Sequence, residues 1–169
     1  HDLAIEGQMV LVSIGVRPNG QVAEKAGIQL GIEKSIAVDR SLMTSNRDIY
    51  AAGDCADAYH VVTGQKAWVP LALWASRGGW AVADHVSGKK VSLQGIAGTA
   101  VFKVFDLQVA NTGLNAEEAL KAGFDPVDAT IKSRSRAHAH PGSKTILVHM
   151  VGDRKSGRLL GVQMVGQEG

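Results

Sequence analysis

Thr44-Ser-Asn-Arg-Asp-Ile-Tyr-Ala-Ala-Gly-Asp54, followed by Cys55-Ala56, is the stretch on which the reading of this chain turns. Residues 44–48 are turn formers. Residues 49–52 have the apolar, partly β-branched character of a short strand, and that strand would stop at Gly53-Asp54. A strand ending in Gly-Asp places a carboxylate at the carboxyl edge of a sheet, where open α/β proteins bind ligands. The glycine lets a ligand come close to the backbone. A carboxylate in that position can accept hydrogen bonds from sugar-like hydroxyls. A strand followed by Gly-Asp also describes an ordinary turn, so the surroundings decide between the two.

Upstream, residues 9–14 form a continuous apolar run, Met-Val-Leu-Val-Ser-Ile, which ends at Gly15 and Arg17-Pro18-Asn19-Gly20. The run predicts a strand buried on both faces and leading into a loop. Residues 21–26 suit a short helix stopped by Gly27, and residues 35–38 another short strand. Downstream, the alanine-rich segment from Pro70 to about Val86 predicts a helix with Pro70 at its first position. After about Gly95 the texture changes, and residues 99–105 and 108–112 alternate around Asp106 as an antiparallel pair. Strands are expected over 99–105, 108–112, 127–136, 145–151 and 159–165. Asn115, followed by Glu117 and Glu118, caps a helix that Gly123 stops. The chain therefore reads as an α/β portion followed by an α+β portion built on an antiparallel sheet.

Composition narrows the classes. The 169 residues are 45% apolar and 20% charged with a net charge of +2, which suits a packed protein and excludes disorder, collagen and coiled coil. No apolar run approaches the roughly 20 residues of a membrane span, so no membrane partner is expected. The charge is spread too evenly for a nucleic-acid-binding face. A single cysteine excludes an internal disulfide and suits a reducing, cytoplasmic setting. His138 and His140, two apart on an expected strand, lack a third ligand, so no metal is expected. Both ends of the chain are read as cuts in a longer protein.

In this context residues 44–56 resemble the second flavin-binding motif of the glutathione reductase superfamily, the pyridine nucleotide-disulfide oxidoreductases. Residues 12–19, Val-Ser-Ile-Gly-Val-Arg-Pro-Asn, resemble the strand and loop that end the NAD(P)H domain of those enzymes. A narrower likeness, to the group of CoA-disulfide reductases, NADH oxidases and NADH peroxidases, is carried by residues 51–56, 59–64, 69–72, 102–107 and 110–114. Gly157-Arg-Leu-Leu-Gly161 and residues 165–169 extend it to the end of the chain. The fold so implied is the end of a nucleotide-binding FAD/NAD domain followed by an antiparallel-sheet α+β dimerisation domain. Its expected divisions are 1–20 as the end of the NAD(P)H domain and linker, 21–94 as the return segment of the FAD domain, and 95–169 as a truncated interface domain.

The resemblance implies FAD and NAD(P)H as cofactors of the parent protein, with a homodimer formed through residues 95–169. Asp54 would hydrogen-bond the ribityl chain, with Gly53 and Ala52 allowing close approach. The backbone N–H groups of Ala72 and Leu73 would face the flavin pyrimidine, where a helix N-terminus stabilises an anionic reduced ring. Gly15 would lie near the nicotinamide dinucleotide. Cys55 is read as a buried structural thiol, because in the subgroup the reacting cysteine lies in the amino-terminal FAD segment. His60 is read as structural, and Trp68, Trp74 and Trp80 as packing residues, Trp80 standing where relatives often have Arg.

Lys132-Ser-Arg-Ser-Arg-Ala-His-Ala-His140 carries its cations at even positions, so one strand would present them all on one face. Arg134, Arg136 and His138 are thus candidates for binding substrate anions such as the phosphates of CoA. In CoA-disulfide reductases the stretch matching residues 138–142 commonly reads His-Tyr-Tyr-Pro-Gly, with a tyrosine reaching toward the partner's active site. Here Ala139 and His140 take the tyrosine positions, and His140 is a candidate proton donor. The electron acceptor is expected to be a small disulfide, persulfide or polysulfide, with oxygen or peroxide as the alternative and a bare dimerisation module as another. Lacking both G-x-G-x-x-G motifs and the reacting cysteine, residues 1–169 alone are expected to be inactive.

Overall fold

The computed structural model describes residues 4–137 and 139–167. In the first half, helix α1 (Gln21–Lys25) is a short turn that ends before Gly27, whose φ of +76° is the left-handed stop expected from the sequence. A hairpin of two short antiparallel strands, β1 (Ala58–Tyr59) and β2 (Lys66–Ala67), precedes the long helix α2 (Ala72–Val86). Trp74 and Ala81 of that helix pack against Val38, Leu42, Ala51, Ala56, Ala58 and Ile96 in a first hydrophobic core. Gly78 permits the close approach: a Cβ there would lie 3.2 Å from the Cβ of Ala52.

Three expectations for this half need correction. Residues 9–14 form no strand among the described residues, and Met9 and Ile14 are 88% and 91% exposed. A strand buried on both faces needs a neighbour on each side, and no described segment pairs with this one. The segments 35–38 and 49–52 make only isolated bridges, Ile36 with Leu30 and Ala56, and Tyr50 with Met43, so each is held at one point and not along a ladder. Helix α2 begins at Ala72, with Leu71 as its cap. Pro70 therefore lies outside the helix and stiffens its approach.

In the second half, strands β3 (Ala100–Val104), β4 (Leu107–Gly113), β5 (Pro126–Arg134), β6 (Thr145–Asp153) and β7 (Leu159–Gln167) form one antiparallel sheet in the order β3-β4-β7-β6-β5. Helix α3 (Ala116–Lys121) joins β4 to β5. Its start is a complete capping box, in which the Asn115 side chain accepts from the Glu118 N–H and the Glu118 carboxylate accepts from the Asn115 N–H, both at 2.9 Å. A second core gathers Leu114, Ala119, Val151 and Leu160, with Val62 reaching in from the β1–β2 hairpin. Gly161 passes beneath Leu114 so tightly that a Cβ would fall 2.1 Å from the Leu114 carbonyl oxygen. Strand β5 ends at Arg134, two residues short of expectation. Beyond it the Ser135 N–H donates to the Lys144 carbonyl and the Ser135 hydroxyl accepts from the Lys144 N–H, which closes a turn where the ladder would continue. Lys132 and Arg134 thus lie on the strand, while Arg136 and His140 lie beyond its end.

A buried ion pair braces the first half. Asp57 is 1% exposed, and its Oδ1 accepts from the Val38 N–H at 3.1 Å and from the Lys66 ammonium at 2.6 Å. Lys66 keeps 27% of its side chain exposed. The two residues are therefore not equivalent. Lys66→Met strands a carboxylate in the core, whereas Asp57→Asn leaves a lysine that can turn to water. We expect Lys66→Met to cost roughly 3 kcal/mol or more and Asp57→Asn roughly 1–2 kcal/mol, read from urea denaturation midpoints at one slope; equal losses would contradict this account.

His60 sits where the halves meet and is 8% exposed. Its Nδ1 accepts from the Val62 N–H at 3.3 Å, and the carboxylate of Glu118 on α3 is close enough to act on its charge. Burial holds the His60 imidazole below the ordinary value of 6.5, against a weaker opposing pull from Glu118. Because the folded value is the lower one, protons bind the unfolded chain first as pH falls. Stability is then full above about pH 6.5 and declines below it. His60→Gln should flatten that part of the decline, as measured by urea midpoints at pH 7.5 and 5.0.

Candidate functional site

Gly53 adopts φ +90°, and among the described residues other than its chain neighbours a Cβ built on it would meet only the Ala75 Cβ within 4 Å, at 3.8 Å. One side of the turn thus rests on α2 and the other is open. The Ala56 N–H donates to the Gly53 carbonyl at 3.1 Å and closes the turn. Asp54 then stands exposed, with its carboxylate making no hydrogen bond to the described residues. Its main-chain carbonyl is held, accepting from the Trp68 indole Nε1–H at 2.8 Å. Cys55 turns inward, half-buried and not fully buried as expected, with its thiol 3.5 Å from the Ala52 carbonyl oxygen.

The N-terminus of α2 lies against this turn, since Ala75 contacts the Gly53 side and Gly78 contacts Ala52. The helix's first i→i−4 bond is donated by the Ala75 N–H to the Leu71 carbonyl at 3.0 Å, so the N–H groups of Ala72 and Leu73 precede it. Leu71 supplies no side-chain cap, the first turn holds no acid, and Leu73 is exposed. The free end of a fifteen-residue helix therefore keeps its partial positive charge. An exposed carboxylate, an open glycine and a helix N-terminus converge. Such a cradle suits a ligand with hydroxyls at one end and an electron-rich edge at the other. The contacts set Gly53 against Ala75 in the first turn of α2 and Ala52 against Gly78 one turn further on, and the Ala72 and Leu73 N–H groups stand at that helix end.

The remaining candidates lie elsewhere. Gly15 has φ +90° on the exposed amino-terminal segment, with nothing within 4 Å of its Cβ position. Arg134 ends β5, and its guanidinium donates to the hydroxyl and the carbonyl of Ser143, at 3.0 and 3.2 Å. Arg136 is exposed on the following bend. The His140 ring Nδ1 lies 2.8 Å from the Pro141 carbonyl oxygen in the same turn, and His138 falls outside the described residues. Among the described residues no group of three or more His, Cys, Asp or Glu side chains is placed to hold a metal. Nor, among them, is any helix long and apolar enough to cross a membrane.

Sequence reasoning missed two contributors. Trp68 was read as packing, yet it reaches back fourteen residues to the Asp54 carbonyl. The three tryptophans in fact differ, because Trp74 is buried and Trp80 is largely exposed. The Asp57–Lys66 pair was not anticipated at all, since nothing in the sequence separates buried Asp57 from exposed Asp54 three residues before it.

Two models of one family match the chain: the pyridine nucleotide-disulphide oxidoreductase model over residues 2–79 and its dimerisation domain over residues 99–169. An NAD(P)H coenzyme A polysulfide/persulfide reductase of Pyrococcus horikoshii is 38% identical over 163 residues, covering 96% of this chain and 37% of that protein. An NADH oxidase of Methanocaldococcus jannaschii is 34% identical over 160 residues, covering 95% of this chain and 35% of that protein. The reduced CoADR-RHD of Bacillus anthracis superposes with a TM-score of 0.93 at 34% identity, covering 98% of this chain and 30% of that one. The chain thus spans about a third of the length of these relatives. With both models matched in order and the fold reproduced at that similarity, the chain belongs to the pyridine nucleotide-disulphide oxidoreductase family.

Proposed function

We propose that this chain is part of an FAD-dependent NAD(P)H oxidoreductase that reduces CoA disulfide, persulfide or polysulfide, with the reacting cysteine supplied from outside residues 1–169. The observation that carries this reading is the convergence of the Gly53–Asp54 turn on the free N-terminus of α2. When bound, FAD supplies two-electron transfer between NAD(P)H and the acceptor. In this reading the Asp54 carboxylate accepts hydrogen bonds from the ribityl hydroxyls. Gly53 and Ala52 leave room for them, and the Ala72 and Leu73 N–H groups face the pyrimidine edge, where their partial positive charge favours the anionic reduced ring. Gly15 belongs to the nicotinamide side, with residues 1–20 ending the NAD(P)H domain and 21–94 returning to the FAD domain. Residues 95–169 form the homodimer interface. Arg134, Arg136 and His138 are candidates to meet the phosphates of CoA, and His140 to donate a proton.

The named relatives divide between CoA-linked sulfur reduction and NADH oxidation. A second reading, an NADH oxidase or peroxidase, is favoured by Ala139 and His140 at the positions where CoA-disulfide reductases commonly carry tyrosines. The full-length protein should purify yellow and oxidise NAD(P)H anaerobically when CoA disulfide or CoA persulfide is added. Turnover with oxygen alone would select the second reading. Asp54→Ala should weaken FAD binding to the apoprotein about tenfold or more, and unchanged affinity would remove Asp54 from the site.

A further inference from the structure

We infer that Trp68 is the positioning residue of this site: its indole N–H, bonded to the Asp54 carbonyl, holds the carboxylate turn and the α2 N-terminus as one rigid cradle. The inference rests on the flavin-site reading above and adds a residue to it.

Two links separated by a few residues close the segment from Asp54 to Trp68 into a ring. One is the Asp57–Lys66 ion pair at 2.6 Å, and the other is the Trp68–Asp54 hydrogen bond at 2.8 Å. Asp57 lies three residues after Asp54 and Lys66 two residues before Trp68, so the links act as two rungs between the same pair of strands and their extensions. The inner rung is buried at Asp57 and fixes where Trp68 emerges from β2. The outer rung fixes the peptide plane that follows Asp54. Trp68 is also two residues before Pro70, whose ring restricts the backbone leading into Leu71, the cap of α2. A single donor thereby couples the placement of the hydroxyl-binding carboxylate to that of the Ala72 and Leu73 N–H groups.

Other cradle contacts do not make this connection. The contacts of Ala75 and Gly78 with the turn are apolar and fix distance but not the orientation of the Asp54 peptide. The Ala56 N–H closes the turn internally. Tryptophan suits the task because a half-buried indole packs its rings while offering one directed donor.

The test uses the full-length protein, stripped of FAD and titrated with it. Trp68→Phe keeps a ring and removes the donor, so FAD affinity should fall roughly 3- to 10-fold. The visible absorption and circular dichroism of the bound flavin should shift, while the melting temperature of the apoprotein stays at the wild-type value. Wild-type affinity and spectra in Trp68→Phe, alongside a loss in Asp54→Ala, would overturn the role of Trp68 and leave the flavin site standing. Wild-type affinity in both variants would overturn the site itself and this inference with it. Should Trp68→Phe lower apoprotein stability, replacement of Trp68 by its benzothiophene isostere, which keeps the shape and lacks the N–H, decides the matter. Weaker FAD binding by that protein supports the role, and wild-type binding overturns it.

Discussion

The carboxylate of Asp57 sets the constraint that the first half of the molecule satisfies. A charged group with almost no exposed surface must be given donors, because burying it unpaired costs far more than a typical domain can spare. It takes them from the Val38 N–H and the Lys66 ammonium, which also bonds the Val38 carbonyl. The space this requires excludes a side chain opposite: a Cβ at Gly31 would fall 2.2 Å from Asp57 Oδ2. Lys66 and Arg40 both lie over the Tyr59 ring, at 4.4 and 4.2 Å from its centroid, and Arg40 goes on to donate to the Leu93 and Gln94 carbonyls. One buried charge thus ties together segments near residues 31, 38, 57, 66 and 94 that have little regular secondary structure of their own. Satisfying that charge substitutes for a ladder.

Because those ties fix both strands of the β1–β2 hairpin, the hairpin can serve two neighbours at once. At its base it positions the Asp54 turn and the approach to α2. At its tip Val62 enters the second core, and its carbonyl accepts from the Arg158 guanidinium at 3.3 Å. Buried His60 lies between these ends. The two cores are therefore joined through a rigid element, and a ligand held at the base of the hairpin shares its support with the sheet that carries the dimerisation-domain match.

What the sequence revealed follows from how local each signal is. The Asn115 N-cap of α3, the glycine stop after α1 and the strand-forming runs of β3 to β7 are each complete within a few residues, and all appear in the structure. The Gly53–Asp54 turn was legible because a positive φ demands glycine at one position. Strand formation at 9–14 was not decidable locally, since an apolar run states what the segment would bury but not whether a neighbour is present. Neither Lys66 nor Trp68 has a local signature. Lys66 acts through bonds to residues nine and twenty-eight positions away and Trp68 through one to a residue fourteen away, and composition is silent about partners at that range.

The cationic stretch at 132–140 shows the same limit from the opposite side. Alternation places side chains on one face only while the ladder continues, and the ladder ends at Arg134 because Ser135 and Lys144 satisfy each other across a turn. Lys132 and Arg134 still share a face. Arg136, however, lies on the bend beyond the ladder, and Arg134 is tethered to Ser143. The period that suggested a charged face thus holds for two residues, and the turn that ends it decides what the remaining charge can meet.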